Sequence, residues 1–130
     1  MKMMTKEIAV GLAAADAVVI ETGESPDKVL VKYFTPWANA TWWVVSGTPL
    51  DAVNGAPMSP EAIEFEGVEN AKDWHLFGFA DIGMPDCAEL GYVLLSELES
   101  IKGPVGLKIE RDLHYSGSLA EVRAGYAVAA

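Results

Sequence analysis

Two neighbouring runs of residues leave this chain little choice of fold. Val29–Thr35 and Ala40–Ser46 are rich in β-branched and aromatic side chains. Both are apolar on both faces: Val29, Val31 and Tyr33 alternate with Leu30 and Phe34, and Trp42 and Val44 alternate with Trp43 and Val45. Their linker, Pro36-Trp37-Ala38-Asn39, has the length and the Pro and Asn of a hairpin loop. A strand with bulky apolar residues on both sides is badly served by a sheet with one face in water. Either both faces are covered or one aromatic face is left open for a partner.

The remaining elements follow from periodicity and punctuation. Thr5 caps a first helix reaching about Ala15, with Ile8, Leu12 and Ala15 on one stripe. Glu21–Lys28 is a turn cluster. Residues 47–73, with Gly47, Pro49, Gly55, Pro57, Pro60 and Gly67, predict a long acidic loop holding at most a helical turn at Pro60–Ile63 and a short strand at Ile63–Phe65. His75–Ile82 and Gly91–Leu95 predict a second hairpin. Ser96-Glu97-Leu98-Glu99 matches a capping box and opens a short helix stopped by Gly103-Pro104. Leu107–Tyr115 alternates as a last strand, and Ser118-Leu119-Ala120-Glu121 repeats the capping box before a closing helix through Val122, Tyr126 and Val128. The expected fold is a single α+β domain over residues 1–130. It has a mainly antiparallel sheet of about five strands, helices at both ends of the chain and a short helix before the last strand.

Charge is segregated along the chain. Residues 51–99 carry eleven carboxylates (Asp51, Glu61, Glu64, Glu66, Glu69, Asp73, Asp81, Asp86, Glu89, Glu97 and Glu99) against one base, Lys72, while the rest balances. The formal net charge of −10 opposes direct binding to nucleic acid or to an anionic membrane, both of which reward Lys and Arg. A basic protein is the natural counterpart, with Glu61, Glu64, Glu66, Glu69, Asp73, Asp86 and Glu89 as the expected contact residues. Duplex DNA carries one charge per ~1.7 Å, so ten charges imitate about 17 Å of it, or roughly five base pairs. Apolar stretches are too short or too interrupted to span a bilayer. A single cysteine, Cys87, excludes an internal disulfide and fits a reducing compartment, so the cytoplasm is the expected location.

Chemistry-bearing groups are few. Glycine-rich phosphate loops, HExxH, GxSxG and paired CxxC motifs are absent, so no catalytic residue, metal or cofactor is expected. Cys87 lies between Asp86 and Glu89, which disfavour its thiolate. Glu110, Asp112 and His114 alternate on the solvent face of the last strand, where a solvated surface explains them better than a metal. Arg111 falls on that strand's apolar face and needs a carboxylate partner. It either locks the strand in place or anchors an anionic ligand in a pocket with Trp42, Trp43 and Tyr92.

From Val31 onward the motifs Val31-Lys32-Tyr33-Phe34-Thr35-Pro36, Thr41-Trp42, Leu76-Phe77-Gly78, Glu89-Leu90-Gly91-Tyr92, Ser96–Glu99, Gly103-Pro104-Val105-Gly106-Leu107 and Ile109-Glu110-Arg111-Asp112-Leu113 resemble a family of small bacterial proteins with a domain of unknown function. The resemblance covers about two thirds of the chain. It departs in the long middle loop and in the tail from Ala124. It implies a setting on plasmids, integrated elements and phages, and it brings no catalytic residues. The expectation is a cytoplasmic, noncatalytic binding protein that occupies a basic, nucleic-acid-facing surface of a host protein, as antirestriction or anti-CRISPR inhibitors do. The alternatives are a small-molecule module or small enzyme built on the Arg111 pocket, and a homodimer closed through the aromatic sheet face.

Overall fold

The computed structural model describes residues 2–129, with side chains as far as Tyr126; Val128, expected on the closing helix, has its side chain outside the described residues. Helix α1 (Lys6–Thr22) starts where Thr5, in extended conformation, accepts a hydrogen bond from the Ile8 N–H at 3.2 Å, and it stops at Gly23, whose φ of 76° suits glycine. It runs one and a half turns or more beyond the expected end, because nothing between Asp16 and Thr22 breaks a helix. Ala9, Leu12 and Ala15 form its buried stripe. The sheet comprises β1 (Val31–Phe34), β2 (Ala40–Leu50), β3 (Asp73–Ile82), β4 (Glu89–Leu94) and β5 (Glu110–Arg111). All neighbours are antiparallel, in the order β4-β3-β2-β1-β5.

Both faces of the central strands are covered, as two-sided apolar runs require. On one face Tyr33, Trp42, Val44, Trp74 and Leu76 pack against Ala9 and Leu12 of α1 and against Leu95 and Leu98 of α3 (Leu95–Ser100). Complete burial of a side chain such as Leu12 contributes about 2 kcal/mol. On the other face Val29, Trp43, Val45 and Phe79 pack against Leu119, Val122 and Tyr126 of α4 (Leu119–Ala129). Ser118 caps α4 as expected: its hydroxyl accepts from the Glu121 N–H at 3.2 Å and donates to the Glu121 carboxylate at 3.0 Å. The first hairpin also forms, with the Thr35 N–H donating to the Ala40 carbonyl at 3.0 Å.

Three expectations are corrected. The segment from 47 to 73 is not one loop. β2 continues to Leu50, α2 occupies Pro60–Glu66 in place of a strand at Ile63–Phe65, and a 3₁₀ turn follows at Val68–Asn70. Pro49 is tolerated because β1 pairs with β2 only as far as Val44; farther along, that side of β2 meets the 56–58 segment, where the Pro49 carbonyl accepts from the Met58 N–H at 2.8 Å. Gly47 serves close packing: a Cβ there would sit 3.1 Å from Leu76 and Trp74 and 3.5 Å from Leu12. Second, β5 is two residues long, and Leu107 and Leu113 are exposed. The tight turn at Pro104–Gly106, with positive φ at Val105 and Gly106, delays the strand. Asp112 then ends it by accepting from the His114 N–H, so Glu110, Asp112 and His114 never form a strand row. Third, α3 begins at Leu95 and Ser96 lies inside it, with Glu97 reaching back to the Leu94 N–H at 3.1 Å.

A bulge in β2 sets the relation between the two faces. Val44 pairs with Gly78 and Ser46 with Phe77, leaving Val45 as the extra residue. A Cβ at Gly78 would collide with the Trp43 carbonyl oxygen, so only glycine fits opposite the bulge.

Candidate functional site

The candidate acids divide into separate groups. Glu61, Glu64 and Glu66 are exposed on α2, and Glu69 is half-buried in the 3₁₀ turn beyond it. Ser59 caps α2 by accepting from the Ala62 N–H at 3.1 Å, and Pro60 pre-sets its first turn. Among the described residues no base lies within ion-pair distance of these carboxylates; Lys32 and Asp112 pair at 3.6 Å elsewhere. Phe65 is 92% exposed between Glu64 and Glu66. Sequence reasoning placed Phe65 in a strand and so missed it as a surface feature. Asp86 and Glu89 are exposed at the opposite end of β3, in and after the 3₁₀ turn Pro85–Cys87. A ten-residue strand separates the two groups, which is about 30 Å of extended chain.

Asp73 does not belong to either surface. It is 2% exposed, and its carboxylate accepts four hydrogen bonds: from the N–H groups of Trp74 at 2.8 Å, Asn54 at 2.9 Å and Ser96 at 3.0 Å, and from the Ser96 hydroxyl at 2.6 Å. Burial pushes its pKa up, but the bonds from Ser96, Asn54 and Trp74 outweigh burial and hold it below the usual carboxylate range. This acid ties the 51–59 segment, the start of β3 and the start of α3 together, so it is a structural anchor and not a partner contact. Asp81 is buried likewise, accepting from the Gly83 N–H at 2.8 Å and from the Tyr126 hydroxyl at 2.5 Å. Burial and that bond push the Tyr126 phenol up to about 12.

Trp42, Trp43 and Tyr92 line one cavity, as expected, but Arg111 lies outside it. Trp42 and Trp43 point to opposite faces, while Tyr92 lies on edge strand β4 and Arg111 on β5 at the other edge. Arg111 sits opposite Tyr33 and its Nε–H donates to the Lys2 carbonyl at 2.9 Å, so it holds the N-terminal segment against the sheet. Tyr92 stacks on His75 with ring centroids 4.5 Å apart and 8° between planes. The cavity lined by Trp42, Trp43 and Tyr92 measures about 200 Å³ and lies beside β4, with Gly78 and Gly91 at its floor and Ala80, Ile82 and Val93 around it. Cys87 is exposed. Among the described residues no group of three or more His, Cys, Asp and Glu side chains is placed to hold a metal, and no helix is long and apolar enough to cross a membrane.

Residues 65–129, from the end of α2 through α4, match the family described as "Protein of unknown function (DUF2958)". The chain belongs to this family. The DUF2958 match takes in β3, β4, α3, β5 and α4 and extends into the tail beyond Ala124, which the sequence motifs left outside the resemblance. The motifs at Val31–Pro36 and Thr41-Trp42 lie before it, as do α1, β1, β2 and most of α2. No curated protein and no solved structure matches the chain.

Proposed function

We propose that this DUF2958 protein is a noncatalytic binding protein whose acidic surface occupies a basic, nucleic-acid-facing surface of another protein. The observation that carries the reading is α2: three exposed carboxylates with no base within ion-pair distance among the described residues, flanking a fully displayed Phe65. Carboxylates that serve only solubility need no aromatic among them. An exposed Phe inside a charged rim has the arrangement of an interface anchor, where the ring supplies affinity and the charges supply rate and selection. The motif resemblance to proteins of plasmids, integrated elements and phages makes an antirestriction or anti-CRISPR type of inhibitor the specific form proposed, acting in the cytoplasm.

The test is capture from bacterial lysate at ~50 mM and ~500 mM salt, with the Glu61→Lys/Glu64→Lys/Glu66→Lys variant and Phe65→Ala alongside. The expected result is a basic nucleic-acid-handling protein retained at low salt, lost on charge reversal and weakened about tenfold or more by Phe65→Ala. Retention that ignores both salt and charge reversal sinks the proposal.

A further inference from the structure

The outer edge of β4 is open. Glu89, Leu90, Gly91 and Tyr92 are all exposed, Tyr92 to 66%, and among the described residues no strand, helix or loop pairs with that side. Proteins usually blunt such an edge with lysine, proline, a bulge or a short strand. β4 is six residues long with the sequence Glu-Leu-Gly-Tyr-Val-Leu, regular against β3 throughout; it has no lysine or proline, and its one charge, Glu89, stands at its first position and leaves the other five residues without one. An unprotected edge is a template for one more strand.

Pockets for alternate side chains lie beside this edge. By strand alternation Gly91 and Val93 face the α1 side, where the cavity of about 200 Å³ opens over Gly78 and Gly91. Gly91 lacks the side chain that would fill it: a Cβ there would meet nothing within 4 Å. Leu90 and Tyr92 face the other way and present an exposed apolar and aromatic surface. A strand added to β4 therefore finds an apolar socket on one face and an aromatic ring on the other, the arrangement by which edge addition gains specificity.

Charge selects the occupant. No Lys or Arg occurs from Asp73 to Ile101, while Asp86, Glu89, Glu97 and Glu99 are exposed around β4. A second copy of this chain would bring a further net charge of −10 to the same edge. We infer that the β4 edge is a docking site for an extended segment of a partner protein in which aliphatic residues alternate with Lys or Arg. The aliphatic side chains enter the glycine-floored cavity, and the bases lie over Tyr92 and meet the surrounding carboxylates. This deepens the acidic-surface reading and rests on it for the sign of the partner's charge.

The test uses a blocked peptide of alternating lysine and valine matching β4 in length, with binding followed by the protein's tryptophan fluorescence. Two isomers, one N-methylated at every valine and the other at every lysine, complete the set. Strand addition turns one set of peptide N–H groups toward β4 and the other outward. One isomer is therefore expected to lose binding about tenfold or more and the other to keep it. Gly91→Leu, which has open space for its side chain, is expected to weaken the parent peptide by a similar factor with the urea midpoint unchanged. Equal binding of the two isomers, no effect of Gly91→Leu, or no binding at ~50 mM salt overturns the docking site. So does self-association that strengthens with salt, which would assign the edge to a second copy. An isomer difference that persists without salt dependence supports the edge but removes the charge reading under the proposed function, so the two failures are told apart.

Discussion

Asp73→Asn puts a number on the anchor that holds the acidic segment to the sheet. With the amide oxygen in place of Oδ1, the bonds from the Trp74 and Ser96 N–H groups survive. The amide NH₂ then faces the Asn54 N–H and the Ser96 hydroxyl, which now donate to Oδ2. The hydroxyl can turn and accept; the Asn54 N–H has no such option and is left opposing a donor. Losing one or two hydrogen bonds to a charged group costs about 1.5–3 kcal/mol each, so the expected destabilisation is about 3 kcal/mol. Ser96→Ala removes one partner only and should cost about 1.5 kcal/mol, with non-additive coupling between the two changes. Urea unfolding followed by tryptophan fluorescence reads both. For an m-value of about 2 kcal/mol/M the Asp73→Asn midpoint falls by about 1.5 M. Because the folded-state pKa of Asp73 is depressed, its stabilisation is present above the ordinary carboxylate range and lost as pH falls through the folded value. The difference between wild type and Asp73→Asn should therefore narrow below about pH 4. A variant within ~0.5 kcal/mol of wild type at neutral pH, or a difference that does not change with acid, would refute the anchoring role.

Other positions give independent checks. Gly78→Ala drives a Cβ into the Trp43 carbonyl and should cost about 3 kcal/mol or more, whereas Gly91→Ala, equally within a strand, should be nearly neutral in the same urea titration. Tyr126→Phe removes the phenol bond to Asp81 and should cost about 1.5–3 kcal/mol, loosening α4 as read by amide hydrogen exchange. The raised pKa of Tyr126 means its stabilisation is full below about pH 10 and disappears as pH rises toward about 12, so its phenolate should appear late in an absorbance titration; Tyr33, raised by burial, should appear later still. Arg111→Lys loses the Nε bond to the Lys2 carbonyl at a cost of about 1 kcal/mol, and faster exchange in residues 2–5 should report release of the N-terminal segment.

The architecture was legible where local chemistry and tertiary demand agree. The two-sided apolar runs became central strands covered on both faces, and the Thr5 and Ser118 caps act as their side chains dictate. Gly47 and Pro49 misled because a glycine kept for close packing and a proline on a strand side beyond the reach of β1 look like turn residues in one dimension. The Leu107–Tyr115 alternation misled for the converse reason: its pattern is that of a strand, but β1 offers pairing only opposite Glu110 and Arg111. The sites were less legible. Composition cannot separate a buried carboxylate with four donors from an exposed one, so Asp73 was grouped with Glu61 and Glu64. A Ser three residues before a Glu reads as a cap whether or not its hydroxyl is committed to a distant Asp, as that of Ser96 is. The expected pocket was right for Trp42, Trp43 and Tyr92 but wrong for Arg111, because Arg111 was joined to them without knowledge of strand order, which puts it at the edge opposite Tyr92.

Separation of the exposed acids along β3 constrains how the proposed partner engages the protein. About 30 Å of strand lies between the α2 carboxylates and the group at Asp86 and Glu89, several times the Debye length of ~8–10 Å at physiological salt. Each group therefore attracts bases on its own, and a short basic ligand neutralises one group or the other. A single protein that covers both must be a domain of ordinary size or carry a basic strand on a tether, in which case binding at one end raises the effective concentration at the other. Reversing the α2 charges and blocking the β4 edge with Gly91→Leu then distinguishes the cases. For one partner spanning both ends, the losses from the two changes each appear in the same binding constant and multiply in the combined variant. For two separate partners, each change abolishes capture of its own protein and leaves the other untouched.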